Sequence, residues 1–147
     1  MKKGYWKLIL CICAILLSAC GFSNCPTEEV KLEGTRWMLT SLNGESPPSW
    51  KEEKIAASQI TIEFEKEYVS GHGGCNGYVR QYELLGSKIE IGENSFQFVG
   101  CEDIVMKWEN AYQRALGRVS CVQANGDELI LTGWNTELIF VQAKQAE

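Results

Sequence analysis

Thirteen residues, Ser70 to Tyr82 (SGHGGCNGYVRQY), hold four glycines, the single histidine of the chain, a cysteine, an asparagine and two tyrosines. Glycines at 71, 73, 74 and 77 let the backbone take a positive φ or approach another strand closely, as a turn, bulge or barrel corner demands. The chain reads as strand on both sides. The stretch is therefore a sharp strand-to-strand bend with Cys75 at its apex.

The strands that feed this bend show period two. Ile60, Ile62 and Phe64 alternate with Thr61, Glu63 and Glu65, giving one dry and one wet face. Thr35, Trp37, Leu39 and Ser41 share a face of an earlier strand that Asn43-Gly44 ends. After the bend, Tyr78 to Leu85 and Lys88 to Ile91 flank Gly86-Ser87, a two-residue hairpin of the type II′ kind. Val119 to Ala124 and Glu128 to Thr132 flank the hairpin signal Asn125-Gly126, and Leu138 to Val141 is a last strand. Between these sets, Ile104, Val105, Trp108, Ala111, Tyr112, Ala115 and Leu116 recur at helical spacing from Glu102 to about Arg118, with Gly117 as a stop. The Trp108 and Tyr112 stripe is read as core packing rather than a ligand wall. The fold class is α+β: a curved, mostly antiparallel, barrel-like sheet packed against a single helix. Its expected core is Trp37, Ile62, Phe64, Trp108, Tyr112, Leu129, Leu131 and Phe140. The segment from Glu45 to Ala57 is a loop in which Trp50 plugs the edge of the core, and Phe96, Phe98 and Val99 form a short apolar run before Cys101.

The first residues give an address. Lys2, Lys3 and Lys7 precede the apolar block Leu8 to Leu17, which is too short for the roughly 20 residues that span a bilayer. It ends in Leu17-Ser18-Ala19-Cys20, which resembles a bacterial lipobox. Residues 1–19 are then a lipoprotein signal, Cys20 is the lipidation site, residues 20–33 are a tether, and the domain runs from 34 to 142. Gly21, in place of the aspartate that retains lipoproteins at the inner membrane, implies an outer-membrane protein facing the periplasm in a host with two membranes. Otherwise it implies the outer face of the cell membrane. Loss of the signal leaves 11 basic against 19 acidic residues, a net charge of −8 that argues against nucleic acid or anionic lipid headgroups as partners, since both need basic patches. The partners expected are the membrane, through the lipid anchor, and proteins of the envelope.

Four thiols remain after the signal and Cys20: Cys25, Cys75, Cys101 and Cys121. An even number in an exported domain reads as disulfides, with three possible connectivities. A nucleophile–base pair of Cys75 and His72 is the weaker reading, because a disulfide is the simpler fate of an exported cysteine. A metal site built from His72, Cys75, Cys101 and Glu102 or Asp103 matches no recognised ligand spacing. Asn76 is expected to hydrogen-bond turn backbone. No hydrolase elbow, zinc-protease or phosphate-loop motif is present. The residues give no cofactor and no catalytic set, so the reading is of a non-enzymatic protein.

Gly34-Thr35-Arg36-Trp37-x-Leu39, Leu42-Asn43-Gly44, Gly74-Cys75-Asn76-x-Tyr78, Tyr82 and a cysteine (Cys101) ahead of a helix together resemble the META domain, the family of HslJ-type heat-inducible lipoproteins. The resemblance covers about residues 32 to 142. Its most specific part is Gly74-Cys75-Asn76-x-Tyr78, with Trp37 and the second cysteine in support. Phe98-Val99-Gly100-Cys101 departs from the methionine-containing run common in the family, and Cys25 and Cys121 lie outside its pattern. The resemblance implies a small α+β domain of the bacterial envelope associated with stress or antibiotic tolerance. It supplies no catalytic residue. It also implies that Cys75 pairs with Cys101, which leaves Cys25 with Cys121. Similarity in fold to secretin-pilot lipoproteins gives the alternative, a carrier or chaperone of lipid or another small apolar ligand. A continuous cavity of about 300 Å³ or more would mark such a carrier.

Overall fold

The computed structural model describes residues 25–49, 58–93 and 99–143. The lipobox with Cys20, the Trp50 loop tip, Phe96 and Phe98 lie outside the described residues. Eight strands and one helix follow in the order β1 (Thr35–Leu42), β2 (Thr61–Phe64), β3 (Tyr68–His72), β4 (Gly77–Leu85), β5 (Lys88–Ile91), α1 (Asp103–Leu116), β6 (Val119–Asn125), β7 (Glu128–Gly133) and β8 (Thr136–Gln142). Each strand pairs antiparallel with the next, and β8 returns to β1, so the sheet closes into a barrel. Closure removes the two long edges of an open sheet, although β5 and β6 meet at a single registered pair, Lys88 with Cys121.

The barrel is as the alternation predicted, with two local differences. In β1, Trp37 and Leu39 point inward, but the register slips between Leu39 and Ser41. That bulge puts Leu42, not Ser41, on the inner face. In β2, Ile62 and Phe64 are fully buried, yet Thr61 is buried as well. Its neighbour across the sheet explains this. A Cβ on Gly71 would lie 2.1 Å from the Thr61 carbonyl oxygen, so β3 passes close enough to cover most of Thr61.

The hairpins behave similarly. Gly86 sits at φ 63°, with Leu85 facing Lys88, as expected. In the β6–β7 hairpin Asn125 faces Glu128, so the turn residues are Gly126 and Asp127, one position later than the Asn-Gly signal suggested. Only Gly126 takes a positive φ there, 61°. A further hairpin at Trp134-Asn135, with Asn135 at φ 48°, joins β7 to β8 and carries no glycine between its strands to announce it.

The interior is filled. Phe64, Val69, Ile62, Leu129, Leu131, Leu138, Phe140 and Tyr112 are completely inaccessible. An eight-stranded barrel is wide enough either to be filled by its own side chains or to hold one small ligand, and here the inward residues are buried against one another. Trp108 is only partly buried and packs against this core from outside, because it stands on the flank of α1 rather than its inner face.

Helix α1 lies between β5 and β6 in sequence and covers the end of the barrel where the β3–β4 bend emerges. Tyr112 makes edge-to-face contacts with Tyr78 of β4 and Phe140 of β8. The Glu102 carbonyl starts the helix by accepting from the amides of Val105 and Met106, and Asp103 and Arg114 suit the helix dipole. Gly117 ends it at φ −74°, without a left-handed residue.

Residues 25–33, expected to form part of a tether, are fixed to the barrel. Leu32 is 1% exposed and Cys25 is bonded to Cys121 of β6. Thr35 Oγ1 donates to the Leu32 carbonyl at 2.5 Å and accepts from Trp37 Nε1 at 2.7 Å. The threonine and tryptophan of the Gly34-Thr35-Arg36-Trp37 motif thus hold the incoming segment against β1.

Candidate functional site

The β3–β4 bend is locked to α1 from several directions. His72 pairs with Gly77, and the four residues between them close on a 2.9 Å hydrogen bond from Gly73 N–H to the Asn76 carbonyl. Gly74 is at φ +115°, a conformation that side chains resist. A Cβ on Gly73 would lie 2.7 Å from Glu109 Cγ, so glycine is what lets the helix approach.

Glu109 is the centre of the arrangement. It is 3% exposed, and its Oε2 accepts from the backbone amides of Cys75 (3.0 Å) and Asn76 (2.6 Å). Its Oε1 accepts from Asn76 Nδ2 at 2.6 Å. Bonds of this kind to a carboxylate are among the stronger ones a protein makes. Asn76 reaches outward too. Its Oδ1 accepts from the Val99 amide at 2.8 Å, and its Nδ2 donates to the Val99 carbonyl at 3.0 Å. The turn backbone that Asn76 was expected to satisfy is therefore served by Glu109, and the asparagine side chain holds a segment 23 residues away. The Cys75–Cys101 disulfide crosses the same gap, and Cys25–Cys121 is the second bridge, so both implied pairs are present.

Deeper in the barrel, the hydroxyls of Tyr78 and Tyr112 are 2.7 Å apart, and both lie against the Thr61 carbonyl, at 2.9 and 3.3 Å. Burial pushes both phenols well above their ordinary range, so they stay protonated. Arg80, the next inward residue of β4, is 7% exposed. Its Nη1 donates to the Gly92 carbonyl at 3.1 Å, and its Nη2 donates to the Gln113 carbonyl at 2.9 Å and to Gln113 Oε1 at 2.7 Å. Burial lowers its pKa. The guanidinium thus joins the Gly92 carbonyl after β5 to the Gln113 carbonyl in the last helical turn, where a cation is favoured.

The residues singled out by sequence are consequently split. Gly74, Cys75, Asn76 and Tyr78 converge with Cys101 on the helix, while Trp37 belongs to the N-terminal lock. His72 is exposed; its amide donates to Thr61 Oγ1 and its ring takes no part in the cluster. Cys75 carries no thiol in this bonded state. Among the described residues no three His, Cys, Asp or Glu side chains are grouped to hold a metal. Glu109 and Arg80 escaped the sequence reading. Spacing offered a signal for both: Glu109 is four residues from Val105 and three from Tyr112, on the buried stripe, and Arg80 alternates inward with Tyr78. Beside Trp108, an open groove of about 180 Å³ runs between α1 and the end of β1, lined by Leu42, Asn43, Glu45, Lys107 and Ala111.

A closed eight-stranded barrel capped by one helix, with a Gly-Cys-Asn bend clamped to that helix, defines the class. The META domain model matches residues 30–145, and the chain belongs to that family. It is similar to a protein from Burkholderia xenovorans solved by NMR, at 25% identity and a TM-score of 0.64, over 78% of this chain and 85% of that one. A second NMR structure matches at 20% identity and a TM-score of 0.61, over 79% and 95%. A crystal structure of a DUF4847 family protein from Bacteroides vulgatus shares the fold at 14% identity and a TM-score of 0.52, over 78% and 96%. No curated protein matches the sequence. The disulfides point to an extracytoplasmic location, and no helix among the described residues is long and apolar enough to cross a membrane.

Proposed function

We propose that this META-domain protein is a lipid-anchored, non-enzymatic module of the bacterial cell envelope, acting in envelope stress or antibiotic tolerance by binding other envelope components. One observation carries the reading: the polar groups of the Gly-Cys-Asn bend, and of the helix residue it meets, are spent on structure. Cys75 is bonded to Cys101, Glu109 accepts three hydrogen bonds, and both ends of the Asn76 amide are engaged. A catalytic set needs a nucleophile or base with free valence toward a substrate, and this cluster keeps none. The lipobox at Cys20 supports anchoring, and the disulfides agree with an exported location.

The carrier alternative is disfavoured by the packed barrel, whose inner side chains are almost wholly inaccessible. The hollow of about 340 Å³ bordered by Tyr68, Val79, Arg80, Gln81, Gly92 and Glu93 is open to solvent rather than enclosed between sheet and helix. The test is a deletion strain challenged with heat and envelope-active antibiotics, complemented by wild type, Cys20→Ala and Glu109→Ala chains. Sensitivity rescued by wild type but not by Cys20→Ala supports an anchored envelope role. A strain indistinguishable from its parent in every challenge would sink it.

A further inference from the structure

The two disulfides are supported by very different amounts of structure. Cys75 and Cys101 lie on a junction that other groups already hold. Asn76, beside Cys75, binds both the amide and the carbonyl of Val99, two residues before Cys101, and Glu109 accepts from the amides of Cys75 and Asn76. Cys25 stands on a thinner support. Pro26, Thr27, Glu28, Glu29 and Lys31 are exposed and Val30 is half-buried, so the first buried residue after Cys25 is Leu32, seven positions on. Near the bridge, Ser87 Oγ donates to the Pro26 carbonyl. A disulfide in a folded protein resists reduction in proportion to the effective concentration at which the fold holds its two thiols. A short flexible tether supplies about millimolar values, and groups fixed in place supply far more. Cys25–Cys121 is therefore the bridge that opens first.

Its opening leaves the barrel entry in place, because a second lock lies behind it. Leu32 is 1% exposed, its carbonyl accepts from the Thr35 amide at 3.0 Å as well as from the Thr35 hydroxyl, and the Gly34 amide donates to the Phe64 carbonyl at 2.8 Å. The two locks define two tether lengths. Cys20 to Cys25 is five peptide steps, at most about 17 Å, whereas Cys20 to Leu32 is twelve, at most about 42 Å.

We propose that Cys25–Cys121 is a redox-operated clasp on the anchor. Closed, it holds the barrel near its membrane; opened by a dithiol protein of the extracytoplasmic space, it lets the folded barrel stand up to about 25 Å farther off. Cys25 is half-buried and Cys121 is 5% exposed, so the dithiol meets Cys25 Sγ. A thiolate of the reductant bonds to that sulfur, the bond to Cys121 breaks, and Cys121 leaves as a thiolate that takes a proton. The second thiolate of the reductant then attacks its own bound sulfur and releases Cys25, which is protonated in turn. Two electrons pass to the two cysteines, and the dithiol departs as a disulfide. The proposal rests on acylation of Cys20, and the test separates the two.

Acylated protein on a supported bilayer is titrated with dithiothreitol. Alkylation and peptide mapping report each bridge, and neutron reflectometry reports the height of the protein layer. Cys25 and Cys121 should become alkylated at a concentration about tenfold or more below that needed for Cys75 and Cys101. The layer should then move outward or broaden, while near-UV circular dichroism of the same titration in vesicles is kept. Cys25→Ser should show the outward layer without reductant. Earlier opening of Cys75–Cys101, loss of the near-UV signal with the first alkylation, or a layer that stays in place once Cys25 is free overturns the clasp. These wild-type readings decide the matter even if Cys25→Ser does not fold. A mature protein whose mass lacks acyl chains overturns the anchor and the change of reach together, whereas early opening of the bridge would still be seen in it.

Discussion

Asn76 is joined to Glu109 twice, from its backbone N–H to one carboxylate oxygen and from its side-chain amide to the other, each at 2.6 Å. This pairing sets the position of α1 over the barrel mouth. Glu109→Ala would strand three donors, two of them backbone, and is expected to cost about 3 kcal/mol or more. Glu109→Gln keeps the shape but turns an amide group toward donors, so about 1–2 kcal/mol is expected. Urea titrations of both variants check the order. Equal stability of wild type and Glu109→Ala would show that the clamp is ornamental.

Asn76→Asp gives a test by pH. It places a second carboxylate against Glu109, and two carboxyls at that distance resist ionising together. A folded-state pKa raised in this way gives stability that is present below the unfolded value and lost as pH rises through the folded one. The variant should therefore lose stability relative to wild type between about pH 4 and 7, the reverse of an ordinary carboxylate pair with a cation. Melting curves across that range decide it.

Tyr78 and Tyr112 predict the alkaline limit. Both phenols are raised in the fold by burial, so their contribution is intact below the ordinary value of 10.0 and declines as pH climbs above it. Unfolding above that pH should coincide with the appearance of tyrosinate absorbance. Tyr78→Phe and Tyr112→Phe should each cost about 1 kcal/mol at neutral pH and flatten the alkaline decline.

The Cys75–Cys101 bridge closes a sequence separation of 26. Chain entropy gives a loss of roughly 3.5 kcal/mol for Cys75→Ser with Cys101→Ser. Because Glu109 and Asn76 hold the same junction, the bend should keep its shape in the folded variant. Protected amides at Cys75 and Asn76 positions in hydrogen exchange would show this; their loss would make the disulfide the principal clamp.

Core substitutions separate the inner from the outer aromatics. Phe140→Ala should cost about 3–5 kcal/mol, as expected of a filled interior. Trp108→Ala, on the groove wall, should cost about half as much. Thermal melts of the two variants side by side would reveal an error if Trp108 proved the more costly.

These cases also show what was readable beforehand. Period-two runs and glycine-marked turns carry information about neighbours one or two residues away, and β2, β4 and the helix stripe were recoverable from them. The slip at Thr40 and the burial of Thr61 depend on the partner strand, which period alone does not identify. Glu109 was hidden by its type: a carboxylate on a dry helical stripe looks like an interruption until the donors 33 and 34 residues earlier are brought against it. Arg80 was hidden in the same way, since two of its three acceptors are backbone carbonyls, which every residue has. The disulfide pattern was legible only through family resemblance, because four cysteines alone leave three pairings open.

In the described residues β5 and β6 meet at a single registered pair, Lys88 with Cys121. The bridge to Cys25 lands on that same residue. Tension on the amino terminus therefore does not begin by peeling Leu32 and β1 out of the barrel. It enters the wall at the seam between its two most loosely joined staves, through a covalent link, so a pulled molecule should open first at that seam, and one whose bridge is reduced should unravel from its first strand instead.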